Sequence, residues 1–335
     1  RFVDHGRNML LALGVLFFVA QIPPQRLARL AVALYGLGVA LLVATMLFGV
    51  TKKGATRWLH VGVDIQPSEI MKIAMPLMLA WWFQRREGQL RAIDFVAALA
   101  MLAVPVALIV KQPDLGTAIL VLSAGLYVIF FAGLSWRLII PVLLLAAAAV
   151  TALVLSEDRI CQPDLKWPLL RDYQKNRVCT LLDPTTDPLG KGFHIIQGGI
   201  AIGSGGLTGK GFMKGTQTHL EFIPERTTDF IFAAFAEEFG LAGVLTLLAG
   251  FTFLIFRGLW IAAEGPTVFT RLLAGSVTLS FFTYAFVNMG MVSGILPVVG
   301  VPLPFVSYGG TAMVTLGLGL GMLMSVAKSR RLMQS

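Results

Sequence analysis

The chain has 335 residues, 56% of them hydrophobic and 13% charged, with a mean hydropathy of +0.78. A soluble domain carries about 25% charged residues, so this composition excludes an ordinary soluble globule and predicts an all-α, polytopic helical membrane protein. The surplus of 27 Lys and Arg over 18 Asp and Glu gives a net charge of +9, which in a membrane protein sets orientation and meets anionic membrane lipids; nothing in the chain asks for nucleic acid.

A crossing helix needs about 20 apolar residues. Runs near 8–22, 26–48, 67–83, 92–111, 115–132, 137–155, 229–256, 272–296 and 305–327 predict nine spans. The chain begins at Arg1 without a signal-peptide pattern, and further sequence is expected before it. The domain reading is a single integral membrane domain: spans over 1–155, a large extracytoplasmic loop over 156–228, and spans over 229–335. Alternate short connections carry Arg26 and Arg29; Arg85, Arg86 and Arg91; Arg137; Arg257 and Arg271; and Lys328, Arg330 and Arg331. By the positive-inside rule these face the cytoplasm, although Lys52, Lys53 and Arg57 then share one outer loop.

Three helix starts fall on the predicted outer side. "QPSEIMK" (66–72) places Pro67 in a first turn, Glu69 beside the positive helix end and Lys72 three residues on, within ion-pair reach of Glu69. "QPDLGT" (112–117) repeats the style with Pro113 and Asp114. "TTDFIF" (227–232) offers Thr227 or Thr228 as a cap ahead of Asp229. Each acid can be read as complementing a helix dipole, or the group as a site; dipole complementation leaves Lys72 unexplained without a nearby anion.

The outer loop spans 73 residues, a length that signals a lid, a binding segment or local helices. Cys161 and Cys179 can pair there, for which chain entropy gives about 3 kcal/mol; two free thiols without a role are the alternative. "HIIQGGIAIGSGGLTGKGF" (194–212) matches neither phosphate-loop pattern and reads as tightly turning backbone. Glu237 and Glu238 lie some 12 Å beyond Asp229 along a continuous helix, and bonding to neighbouring helices competes with chemistry as their explanation. "GMVSGILPVVGVPLPFVSYGG" (290–310) cannot be continuous helix; it either lines a cavity near the outer surface or is a plain interhelical loop. His5, His60, His194 and His219 show no metal-ligand spacing.

A carboxylate at a helix start on a membrane surface, with a lysine near, fits a general base facing a phosphate leaving group or an ion-coupled transport site. Transport sites lie near the midplane, whereas these residues gather at one interface, which favours an enzyme acting on an amphiphile.

"QIPP" (21–24), "QPSEIMKIA" (66–74), "QPDLGTAIL" (112–120), "GLSWR" (133–137), the glycine-rich stretch 181–212, "PERTTDFIFAAFAEEFG" (224–240) and "VSGILPVVGVPLPFVSYGG" (292–310) resemble the SEDS family of shape, elongation, division and sporulation proteins over nearly the whole chain. "QIPP", "RGLWIAA" (257–263) and "GVPLPFVSYGG" (300–310) are closer to its elongation branch than to its division branch. The resemblance implies ten spans in the full-length family, one of them before Arg1, and a peptidoglycan glycosyltransferase of the bacterial cytoplasmic membrane that polymerises lipid II, with its site on the periplasmic side. It implies Asp229 as the catalytic base and undecaprenyl pyrophosphate as the leaving group. Glu69, Lys72, Asp114, Arg226, Thr228 and Ser307 are implied as supporting or substrate-binding residues. It further implies a class B penicillin-binding protein as transpeptidase partner, with lipid II and the nascent glycan strand as ligands. No cofactor is required by it; a divalent cation such as Mg2+ is the one candidate, and no residue spacing indicates a site. A lipid II flippase and a scaffold for the penicillin-binding protein are the competing readings.

Overall fold

The computed structural model describes residues 2–52, 55–162, 172–186, 190–219 and 227–334. Along the chain come α1 (Phe2–Ala20), α2 (Pro24–Phe48), the strands β1 (Val50–Lys52), β2 (Ala55–Val61) and β3 (Val63–Ile65), then α3 (Pro67–Arg85), α4 (Ala92–Lys111), α5 (Leu115–Phe131) and α6 (Trp136–Leu155). The outer-loop stretch holds α7 (Glu157–Ile160), α8 (Asp172–Leu182), a 3-10 turn at Pro184–Thr186, α9 (Lys191–Ser204) and α10 (Thr216–His219). The long helices α11 (Ile231–Ala263), α12 (Val268–Val292) and α13 (Gly310–Gln334) follow.

Every predicted apolar run is a helix, but seven, α1, α2, α4, α6, α11, α12 and α13, are long and apolar enough to cross a membrane. The count of nine is therefore not established: α5 has 17 residues, and α3 carries Glu69 and Lys72 within its first two turns. Burial explains how α3 tolerates those charges. It packs against α2, α4, α5 and α13, and Met71, Met75, Leu79 and Phe83 are fully enclosed, so its polar groups meet protein rather than hydrocarbon.

The chain forms two compact units. The first comprises the chain up to Gly133, Phe251–Ala285 and the chain from Tyr308; the second comprises Leu134–Gly250 and Phe286–Ser307. In the first unit, α1 lies on α13. Cβ atoms at Gly317 and Gly321 would fall against the Ala12 and Leu16 carbonyl oxygens, a small-xxx-small contact of the kind that lets helix backbones approach in membranes. The three strands form an antiparallel sheet in the order β1-β2-β3, where the sequence reading had only a short loop.

In the second unit, Cys161 and Cys179 form a disulfide, resolving the two readings of that pair, and Lys175 Nζ donates to the Gln162 carbonyl. Asp183 opens the 3-10 turn by accepting from Thr185 N (2.9 Å) and Thr185 Oγ1 (2.6 Å), bonds that hold its carboxyl below the usual carboxylate range. The predicted glycine-rich flexible backbone is half helix: residues 194–204 belong to α9, and only the stretch after Ser204 turns irregularly.

The helix α11 is not continuous. Gly240 sits at φ 64°, ψ −165°, a conformation that L side chains avoid, and divides it into a half-helix over 231–239 and a longer segment over 241–263. The loop after α9 fills the break. Lys210 N and Gly211 N donate to the Glu237 and Glu238 carbonyls (3.0 and 2.9 Å), while Leu241 N and Ala242 N donate to the Gly206 and Leu207 carbonyls (2.9 and 3.0 Å). These bonds satisfy backbone groups that a helix end otherwise leaves bare.

Candidate functional site

The sequence-predicted residues fall into two clusters, one in each unit. In the first unit, Pro67 opens α3 and Glu69 lies in its first turn. One turn of helix brings Lys72 Nζ to 2.6 Å from Glu69 Oε1, with the two side chains 7% and 15% exposed. The anion that Lys72 requires at a positive helix end is therefore Glu69. Thr315 of α13 donates to the second carboxylate oxygen at 3.0 Å, and the Lys72 ammonium lies 5.3 Å from the Tyr284 ring centroid.

Asp114 caps α5 by accepting from Thr117 N at 3.3 Å. It also accepts from Gln66 Nε2 at 2.9 Å, which ties the start of α5 to the residue preceding α3. Arg57 of β2 approaches Asp114 to 3.7 Å, so the small sheet delivers a second cation to this cluster. Beside Glu69 opens a cavity of about 660 Å³, bounded mainly by apolar side chains such as Leu34, Ile70 and Val314, with Asn8, Gln66 and Thr311 among the polar ones.

In the second unit, Asp229 lies two residues before the α11 half-helix and is half-buried. Its position is fixed through the backbone. Ser307 Oγ donates to the Thr228 carbonyl at 2.7 Å and accepts from Leu303 N at 2.7 Å. Asn288 Nδ2 donates to the Asp229 carbonyl at 2.9 Å and to the Val301 carbonyl at 2.7 Å. The proline- and glycine-rich run between α12 and α13 is thus partly buried irregular backbone that meets the Asp229 turn through Ser307 and, by way of Asn288, through Val301. Gly300, at φ +77°, faces the carboxylate: a Cβ there would stand 3.3 Å from Asp229 Oδ2. From α9, Gly198 packs on Phe230 and the Val292 carbonyl, and His194 lies 5.7 Å from the Phe230 ring.

Glu237 is fully enclosed. It accepts from Lys210 Nζ (2.7 Å), Thr216 Oγ1 (3.1 Å) and Gln217 N (3.1 Å), so the bonding explanation holds for this acid, with the outer-loop stretch and its short helix α10 as partners. Arg226 lies outside the described residues. Among the described residues, no three His, Cys, Asp or Glu side chains gather closely enough to hold a metal ion.

Asn288, Gly300, Gln66 and Arg57 were not singled out as site residues from sequence. Asn288 is the one side-chain amide in α12, and that is the signal it offers: a buried amide needs a partner.

Comparison with known proteins agrees with these motifs. The model of the FtsW, RodA and SpoVE cell cycle proteins matches residues 2–332. The peptidoglycan glycosyltransferase MrdB of Escherichia coli K12 is 52% identical over 326 residues, 96% of this chain and 85% of its own length. A chain in a solved peptidoglycan synthase complex aligns with TM-score 0.78 at 32% identity, covering 97% of this chain and 89% of that one. The rod shape determining protein RodA of Thermus thermophilus aligns with TM-score 0.68 at 28% identity, covering 97% and 87%.

Proposed function

The chain belongs to the FtsW, RodA and SpoVE family of cell cycle proteins, the SEDS family, and on that footing we propose a mechanism in which Asp229 is the general base. The protein is a multi-pass membrane peptidoglycan glycosyltransferase, the activity its relative with 52% identity is named for, and its proposed reaction is the polymerisation of lipid II for elongation of rod-shaped cells. In the proposed step Asp229 takes the proton from the 4-hydroxyl of the N-acetylglucosamine of acceptor lipid II. The freed oxygen attacks the anomeric carbon of the donor N-acetylmuramic acid, the bond to pyrophosphate breaks, and undecaprenyl pyrophosphate leaves with inversion. For the first unit we propose separately that Lys72, held by Glu69, meets a pyrophosphate and that the mostly apolar cavity beside Glu69 suits a polyprenyl chain.

The observation that carries this reading is the fixed Asp229 turn. A base must be held in geometry to act, and two side chains, Asn288 of α12 and Ser307 of the irregular run after it, hold this one by consecutive carbonyls. We propose that the site lies on the periplasmic side and that the chain crosses the membrane nine times. The Cys161–Cys179 disulfide supports the outer position of its loop, since such bonds persist in oxidising compartments. A class B penicillin-binding protein is the proposed crosslinking partner, in keeping with the peptidoglycan synthase complex that contains a structural relative.

The test is polymerisation of labelled lipid II by the purified protein with its partner in detergent. Asp229→Asn is expected to reduce glycan polymer by about 10²- to 10⁴-fold, the range of a lost general base. Full activity of that variant would remove Asp229 from the chemistry. Absence of polymer under every condition, with lipid II translocation in liposomes unaffected by the substitution, would favour the flippase.

A further inference from the structure

We propose that Glu237 and Lys210 are positioning residues for Asp229, an inference that rests on the reading of Asp229 as the base. The half-helix over 231–239 begins two residues after Asp229 and ends at the Gly240 break. A continuous helix would take its direction from the segment behind it. This one is severed, so its placement depends on what grips each end.

The grip at the Asp229 end is the Asn288 and Ser307 pair of backbone contacts. At the other end the loop after α9 binds the last carbonyls through Lys210 N and Gly211 N. A Cβ at Gly209 would collide with the Glu238 carbonyl, and one at Gly240 with Gly209 N, so the two backbones meet without room for side chains. The Glu237 side chain completes the grip with donors from Lys210, Thr216 and Gln217. The Glu237 side chain is 0% exposed and that of its partner Lys210 29% exposed. A buried charge that loses its partner is strongly unfavourable, so the loop cannot leave without Glu237 losing these three bonds. Glu237 lies eight residues beyond Asp229, on the half-helix that begins two residues after it, and is enclosed among its own partners rather than open to a sugar.

The experiment compares steady-state polymerisation of lipid II by wild type, Lys210→Met, Lys210→Arg and the neutral pair Glu237→Gln/Lys210→Met. Each is assayed as the full chain with its partner in detergent and checked for folding by size exclusion. Lys210→Met is expected to lower kcat by about ten- to a hundredfold, the cost of ångström-scale misplacement of a catalytic group, with KM for lipid II unchanged. Lys210→Arg restores most of the rate. If Lys210→Met does not fold, the neutral pair, which buries no unpaired charge, must show the same kcat loss. A kcat within twofold of wild type in the folded variant, a change confined to KM, or no rescue by arginine overturns the proposal. Asp229→Asn measured alongside separates the two readings. A dead Asp229→Asn with a normal Lys210→Met removes only the positioning role, whereas an active Asp229→Asn removes the base itself.

Discussion

At the scale of single residues, the described surroundings of Asp229 include an amide, a hydroxyl and an absent side chain. Gly300 is the sharpest of these. Its φ of +77° costs an L residue roughly 1–2 kcal/mol, and an added methyl would press on Asp229 Oδ2 at 3.3 Å. Gly300→Ala is therefore expected to slow polymerisation while leaving lipid II affinity near wild type, measured by titrating binding and turnover on the same preparation; unchanged turnover would show that the carboxylate has room to spare. Asp229 was legible in the sequence because a carboxylate entering an apolar helix is costly and so conspicuous. Its supports were not. Gly300 is one of five glycines in its run, and Asn288 shows its worth only when Val301 and Asp229 are brought beside it.

At the scale of elements, α3 shows how a helix can be too polar for lipid and still lie among membrane helices. Its periodic pairing was readable: Glu69 and Lys72 are one turn apart, and they meet. Its enclosure by α2, α4, α5 and α13 was not readable, because apolar character on all sides is equally compatible with lipid. Removing one partner of the pair leaves the other nearly buried. Lys72→Met should cost stability toward the lower end of about 3–5 kcal/mol, since Glu69 is 15% exposed and keeps Thr315. The double variant Glu69→Gln/Lys72→Met should recover much of that loss in thermal unfolding in detergent; additive losses would deny the coupling. The sheet of β1 to β3 and the helix α9 escaped the sequence reading for opposite reasons. The strands occupy a stretch whose basic residues drew attention to topology, and α9 hides behind glycines that lower helix propensity but let it pack on Phe230 and Val292.

At the scale of the whole molecule, hydropathy revealed the membrane class because the bilayer imposes length and composition on whatever crosses it. The clearest instance is α6, twenty residues without one buried side chain. Such a surface is tolerable only in hydrocarbon. Leu145→Arg, at the middle of α6 and 72% exposed, should hinder insertion by about 2.5–3.5 kcal/mol, seen as loss of protein from the membrane fraction. Normal membrane yield would mean that α6 is sheltered otherwise.

The interruption at Gly240 has a consequence for how this protein can change. An unbroken rod of 33 residues would be about 50 Å long, far more than the roughly 30 Å of a hydrocarbon slab. The 241–263 segment alone reaches about 35 Å and can serve as the anchor unaided. The nine residues ahead of it are then released from the demands of lipid, and answer to a separate set of selective pressures. Mutational drift in the anchor would register as altered biogenesis, and drift in the short piece as altered turnover, so the two traits can evolve along one uninterrupted stretch of polypeptide without hindering each other.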